Sequence, residues 1–98
     1  MPAYALLAAP RAQKELDALP PRVADGLRQV LRAFAATPRG AHFDVKPLRA
    51  LGQEPPALRW RVGDYRVVLQ VDHEAREIRI ATIGHRQDIY RGLGAAFA

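Results

Sequence analysis

The 98-residue sequence contains no cysteine and almost no lysine, and it has no long apolar run. Without thiols the chain cannot form a disulfide framework or a thiolate metal site, which fits a reducing compartment. No apolar stretch approaches the roughly 20 residues that a transmembrane helix requires, and no basic region precedes the N-terminal apolar run, as it would in a signal peptide. A cytoplasmic protein without a membrane partner is therefore expected.

The positive charge comes almost entirely from arginine. The formal net charge is +5, and Lys14 and Lys46 are the two lysines. Guanidinium groups make bidentate contacts to phosphate and stack on bases, so this bias favours a nucleic-acid partner. High-GC codon usage would produce the same bias, and an acidic protein partner would satisfy the same charge.

A chain of this length predicts one domain, spanning residues 1–98. The apolar run Ala3–Ala8 predicts a buried strand. Apolar residues then recur at helical spacing, which predicts one helix from Pro10 to about Leu19 and a second from Pro21 to about Phe34. A short strand is predicted around Val45–Leu48, at an edge or bulge because it contains a proline.

The most informative stretch is a β-hairpin predicted around the dipeptide Gly63-Asp64. If Val62 and Tyr65 flank the turn, alternation places Trp60 opposite Val67 on one face of the sheet. The other face receives three arginines, here called the arginine cluster: Arg59, Arg61 and Arg66. Like charges that face each other on a sheet cost stability, so folding does not explain the cluster, whereas an anionic ligand would.

A third strand, Glu77–Ile83, continues the predicted meander. Pairing Asp72 with Glu77 across the second turn places Ile83 opposite Arg66. Alternation assigns three residues to the core face: Ile78, Ile80 and Thr82. It assigns three to the arginine side: Arg79, Ala81 and Ile83. The predicted fold is α+β, with an N-terminal strand and a helical hairpin packed on one face of a small antiparallel sheet, followed by a short C-terminal segment.

An open face of arginines could bind a phosphodiester. The chain leaves the sheet at Gly84, which would bring His85, Arg86 and Tyr90 to that end, and Lys46 and Arg49 could add charge. Cleavage of RNA by the neighbouring 2′-hydroxyl needs a base, positive charge for the phosphorane and an acid. Arginines supply the charge, and Tyr90 or His85 could move protons.

No metal and no cofactor are predicted, because the histidines are scattered and no carboxylate cluster has ligand spacing. Each candidate also has a plainer interpretation. Charged residues on an outward strand face are commonly just solvated, and the histidine and the tyrosine could be structural.

Three segments resemble the RelE-type toxins of bacterial toxin–antitoxin systems, in the RelE/ParE superfamily: Leu58–Val68, Ile83–Arg91 and Val45–Leu48. The resemblance covers Tyr4 to Leu93, with the same order of elements. It implies a ribosome-dependent mRNA endonuclease, or mRNA interferase, that cleaves by metal-free 2′-hydroxyl attack. It also implies a cognate antitoxin that neutralises the toxin in a hetero-oligomer, with the ribosome and its mRNA as further partners.

The resemblance also implies catalytic roles for four residues. By position, Arg66 is similar to the strand arginine that contacts the scissile phosphate, and Arg86 to the second catalytic arginine. Tyr90 matches the C-terminal tyrosine proposed to act on the 2′-hydroxyl, and Arg59 a basic residue on the preceding strand. RNA-binding roles are expected for four further residues: Arg61, Lys46, Arg49 and His85.

The sequence departs from the best-known branch of that family at three places. Ala57 stands where that branch has a lysine, and His85 also replaces a lysine. The spacing from Arg86 to Tyr90 is two residues shorter. These departures bear on how the residues divide the catalytic work more than on the class of protein. Two alternatives stay open: a ParE-type toxin that inhibits DNA gyrase, and a non-catalytic domain that binds RNA or protein through the same face.

Overall fold

The computed structural model describes residues 3–37, 45–47 and 55–85, which form two helices and a five-stranded sheet. The elements follow in the order β1 (Ala5–Ala8), α1 (Pro10–Asp17), α2 (Pro21–Ala36), β2 (Val45–Pro47), β3 (Ala57–Val62), β4 (Tyr65–Asp72) and β5 (Glu77–His85). Across the sheet the order is β1-β5-β4-β3-β2, with β1 parallel to β5 and every other pair antiparallel. The α+β prediction is confirmed, and the parallel first strand makes the sheet mixed.

Both helices begin at a proline, Pro10 and Pro21, where the missing N–H and the fixed φ cost nothing. Their apolar stripes face one side of the sheet. The ring of Phe34 on α2 packs on that of Trp60 on β3, with centroids 4.9 Å apart. Neither helix in the described part of the chain is both long and apolar enough to cross a membrane.

The core lies between the two helices and the helix-facing side of β3, β4 and β5. Phe34, Val67, Leu69 and Ile78 are at most 1% exposed, and Trp60 is 2% exposed. The four strand residues among them are alternate positions that the sequence pattern assigned to the core: Trp60, Val67, Leu69 and Ile78. The large apolar side chains of the hairpin that belong to the core cluster therefore lie on the face that the helices cover.

The hairpin has the predicted register. Val62 pairs with Tyr65, and Trp60 with Val67. Gly63 in the turn has a φ of +58°, a left-handed conformation that glycine adopts without strain and that a two-residue hairpin turn needs at this position. The turn therefore fixes which residues of β3 and β4 share a face.

The register predicted for the end of β5 is wrong. Leu69 pairs with Ile80 but Val68 pairs with Thr82, so Ala81 is an extra residue in β5, a β-bulge. After the bulge, the residues of β5 lie on the faces opposite to those predicted for them. Ile83 lies in the core and is 2% exposed, whereas Thr82 lies outside the core cluster.

Gly84, and not Ile83, therefore lies opposite Arg66. The physical gain is the burial of a large branched side chain, which strict alternation would have placed among the arginines.

The prediction that the N-terminal strand is buried is also wrong. β1 is an edge strand with β5 as its partner, and Leu7 is 44% exposed. Leu6 packs partly against the core. The helices cover one face of the sheet, so alternate residues of an edge strand remain in solvent.

Candidate phosphate-binding site

The arginine cluster is assembled by the register of three neighbouring strands. Arg61 on β3 lies opposite Arg66 on β4, and Arg59 on β3 lies opposite Lys46 on β2. Two cationic pairs therefore sit side by side on the face of the sheet that points away from the core. The prediction that Arg59, Arg61 and Arg66 share a face is confirmed, and Lys46 joins them from β2.

These four side chains, here called the cationic pocket, line a cavity of about 60 Å³. Arg61 is exposed, and Arg59 and Arg66 are half-buried. This volume is several times the roughly 10–15 Å³ that a cavity needs to hold one water molecule, so the cavity has room for a small anion such as a phosphate group. Four cations converging on one small cavity favour an anionic ligand, because such a ligand relieves their mutual repulsion.

The opposite end of the same face is electrically neutralised. Arg79 donates hydrogen bonds to Glu77 at 2.9 Å and to Asp72 at 3.1 Å. The hydrogen bond to Glu77 raises the pKa of the Arg79 guanidinium, and Asp72 adds to the effect. Arg79 therefore presents a charge that two carboxylates compensate.

Asp72 also closes the turn between β4 and β5. Its carboxylate accepts hydrogen bonds from the backbone N–H of Ala75 at 3.0 Å and of Glu74 at 3.1 Å. The bond from Ala75 is the main reason that the pKa of Asp72 lies below its ordinary value, and the charge of Arg79 lowers it further. This carboxylate has a structural task at the turn.

Glu15 is a residue that the sequence patterns did not single out. One of its carboxylate oxygens accepts hydrogen bonds from Thr82 Oγ1 at 2.7 Å and from the backbone N–H of Ile83 at 3.0 Å. Its other oxygen lies 3.7 Å from Nε of Arg11. In the sequence, Glu15 stands out only as a carboxylate between Ala12 and Leu16, the buried positions of α1. That pattern does not predict its hydrogen bond with Thr82, which is 67 residues further along the chain.

His85 is not among the described residues that line the cationic pocket. It pairs with Tyr65 across the strands, and the two rings pack edge to face with centroids 5.4 Å apart. Tyr65 lines a separate, mainly apolar groove of about 350 Å³ between α2 and the hairpin turn, beside Val30 and Val62. The RNA-binding role of His85 stays a prediction.

Arg49, Arg86 and Tyr90 lie outside the described residues, and their roles also stay predictions. Within residues 3–37, 45–47 and 55–85, no three histidine, aspartate or glutamate side chains lie close enough to hold a metal ion. His73 shares a hydrogen bond at Nδ1 with the hydroxyl of Tyr4, at 2.8 Å, and is not among the described residues that line the cationic pocket.

One protein-family model matches residues 6–90, which is most of the chain. Its description is ParE toxin of type II toxin-antitoxin system, parDE. A comparison with curated proteins finds no significant match.

Several solved structures have the same fold. The archaeal RelE–RelB complex from Pyrococcus horikoshii is 25% identical, with a TM-score of 0.73 over 88% of this chain and 98% of that chain. The toxin–antitoxin complex RelBE2 from Mycobacterium tuberculosis is 26% identical, with a TM-score of 0.70 over 88% and 94%. The isolated RelE toxin from E. coli is 25% identical, with a TM-score of 0.67 over 98% and 100%.

Proposed function

The chain belongs to the ParE toxin family of type II toxin–antitoxin systems, within the RelE/ParE superfamily, and from this premise we propose that it is a ribosome-dependent mRNA endoribonuclease. The single observation that carries the proposal is the cationic pocket on the open face of the sheet. A pocket of this size and charge fits one phosphate of an RNA backbone. Similarity to RelE structures over nearly the whole chain adds support.

The proposed reaction is attack of a ribose 2′-hydroxyl on the adjacent phosphate, which expels the 5′-oxygen of the next nucleotide. The phosphorane formed on the way carries more negative charge than the starting phosphodiester. Cations placed around it therefore stabilise the transition state more than the ground state. DNA has no 2′-hydroxyl, so the reaction is specific for RNA.

The roles in this proposal follow the resemblance to RelE-type toxins, and the pocket supports those of its four lining residues. Arg66 contacts the scissile phosphate, and Arg59 supports it from the neighbouring strand. Arg61 and Lys46 bind the flanking backbone, because Arg61 is the most exposed of the three arginines and Lys46 lies on the outermost strand. Arg86 supplies a second catalytic guanidinium, Tyr90 or His85 moves the protons, and Arg49 adds RNA-binding charge.

The proposed partners are a cognate antitoxin, the ribosome and its mRNA, in the cytoplasm. The similar proteins from M. tuberculosis and P. horikoshii were solved as toxin–antitoxin complexes. A cationic pocket on a small basic domain favours an acidic segment that folds on binding, in a toxin–antitoxin hetero-oligomer. Such a segment would neutralise the toxin by occupying the place of the RNA phosphates.

A second candidate function is inhibition of DNA gyrase without cleavage of RNA. The observation that favours it is the description of the matching family model, which names ParE toxins. A gyrase inhibitor does not need four cations around a cavity the size of one phosphate, so the endoribonuclease remains the first proposal.

The experiment that separates the two functions is induction of the chain without an antitoxin, followed by mapping of the 5′ ends of cellular mRNA. We expect new ends within translated messages, in phase with codons, and none in untranslated RNA. A parallel assay follows DNA damage in the same cells. Intact mRNA together with DNA damage would overturn the proposal in favour of gyrase inhibition.

A further inference from the structure

The bulge in β5 lies three residues before the position that faces Arg66. Ala81 is the extra residue, and the strand resumes a regular ladder at Thr82, which pairs with Val68. Bulges commonly lie next to functional sites, where they change which side chain points to which face. Here the bulge decides what stands beside the central cation of the pocket.

Without the bulge the regular register from Asp72 and Glu77 would place Ile83 opposite Arg66. With it, Gly84 takes that position and Ile83 is buried in the core. The residue opposite Arg66 is thus glycine, whose side chain is a hydrogen atom, in place of isoleucine, whose side chain is branched and apolar. A glycine within a strand is typical of a place where another molecule approaches the backbone closely.

Glu15 is the contact that holds the residues immediately after the bulge. β1 pairs with β5 only as far as Ile80, so within the described part of the chain no strand lies beside this edge of β5 beyond that residue. There the Glu15 carboxylate replaces a neighbouring strand and accepts the N–H of Ile83 and the hydroxyl of Thr82. The side chain of Glu15 on α1 thereby holds both Thr82 and Ile83.

We propose that Glu15 is a positioning residue of the catalytic site: by holding Thr82 and Ile83 it keeps Gly84, and not Ile83, beside Arg66, which leaves room for the RNA backbone. Glu15 itself touches neither the pocket nor the substrate. This inference rests on the proposed function for its effect on cleavage, but its structural half can be measured without RNA.

The first test compares Glu15→Ala with Glu15→Gln in cleavage of a ribosome-bound mRNA. The alanine variant loses both acceptor contacts, whereas the glutamine retains an amide oxygen that can accept them. We expect kcat to fall on the order of 10- to 100-fold for Glu15→Ala. KM should be unchanged, because Lys46, Arg59 and Arg61 still bind the backbone, and Glu15→Gln should restore most of the rate. Equal rates for Glu15→Ala and the wild type would overturn the proposal.

A second test removes the need for Glu15. Deleting Ala81 converts β5 into a regular strand in which Thr82 still pairs with Val68 and Gly84 with Arg66. In this background a regular ladder holds the register, so Glu15→Ala should have little further effect. If Glu15→Ala lowers kcat as much in the deletion as in the full chain, Glu15 acts by another route and the proposal fails.

A third test reads the register directly and is independent of activity and of the deletion. In NMR spectra of the full chain, cross-strand contacts between Arg66 and Gly84 should be present in the wild type and in Glu15→Gln. Glu15→Ala should lose them, and its Ile83 amide should exchange faster with solvent. Retention of both signals in Glu15→Ala would overturn the proposal even if the wild type never cleaves RNA, whereas absence of cleavage alone would count only against the proposed function.

The residue opposite Arg66 can be enlarged in steps. Gly84→Ala adds one methyl group, and Gly84→Val adds a branched side chain like the one that the unbulged register would bring. We expect a small loss of kcat for alanine and a much larger one for valine, with the fold retained in both. Undiminished cleavage by a folded Gly84→Val variant would contradict the need for room at this position.

Discussion

The two faces of the β3–β4 hairpin are made of alternating residues of the same strands, yet different forces act on them. On the helix side, Trp60, Val67 and Leu69 are at most 2% exposed and pack against α1 and α2. On the other side, Arg59 and Arg61 of β3 converge with Arg66 of β4 on one cavity.

Burial of apolar area stabilises the first face. The second face places like charges opposite each other, an arrangement that does not by itself favour folding. The comparison shows that alternation along the strands separates the core side chains of this hairpin from its arginines. Substitutions on the two faces should therefore have different consequences, one kind in stability and the other in activity.

The largest effect on folding is expected on the helix side. Phe34→Ala removes a ring that is 1% exposed and packs on Trp60, and should lower the free energy of unfolding by about 3–5 kcal/mol. Arg32→Ala, on the exposed side of the same helix, is the matched control and should change it by less than about 0.5 kcal/mol. Urea denaturation measures both. A mild effect at Phe34 would mean that this face contributes less to folding than its burial indicates.

The largest effect on function is expected on the arginine side. Arg66→Ala removes the central charge of the pocket and should slow mRNA cleavage by roughly 100- to 1,000-fold while the protein stays folded. Arg79→Ala is the matched control on the same face, because its charge is already compensated by Glu77 and Asp72. It should leave the rate unchanged. Equal losses for both variants would show that the general charge of the face matters and the cationic pocket does not.

A smaller effect should separate binding from chemistry within the pocket. Arg61→Ala removes an exposed cation that faces the RNA backbone but, in this proposal, not the scissile phosphate. On a plot of log affinity against log salt concentration for a single-stranded RNA, the slope should become shallower by about 0.7, the value for one lost phosphate contact. The cleavage rate at saturation should change little. An unchanged slope would place Arg61 outside the RNA path.

The smallest effect concerns acid stability at the neutralised end of the arginine face. The pKa of Asp72 is lower in the folded state than its ordinary value, so the folded protein binds fewer protons there than the unfolded chain. The resulting stabilisation is complete above the ordinary carboxyl pKa near about 4 and is lost as the pH falls through the folded value. Asp72→Asn should therefore reduce stability at neutral pH and flatten its decline in acid. Denaturation curves at a series of acidic pH values measure this, and an unchanged acid limb would contradict it.

The faces of the hairpin could be predicted because they depend on local information. A Gly-Asp turn fixes the pairing of Val62 with Tyr65, and period-two alternation then assigns every residue of both strands to a face. The two helices could also be predicted, from the spacing of their apolar residues and from the proline at which each begins.

The exposure of Leu7 and the exchange of Ile83 for Gly84 beside Arg66 could not be predicted in the same way. The first depends on β1 being at an edge of the sheet, and the second on an extra residue that no local pattern marks.

By itself the sequence determined that three arginines of one hairpin share a face and that this face is opposite the one with Trp60, Val67 and Leu69. Only the tertiary structure decided what stands beside them. Lys46 reaches Arg59 through the pairing of β2 with β3, and Glu15 reaches Thr82 and Ile83 across 67 and 68 residues. The physical reason is that alternation is a property of one strand, whereas a bulge and its carboxylate acceptor reflect competition between core burial and hydrogen bonding among distant segments.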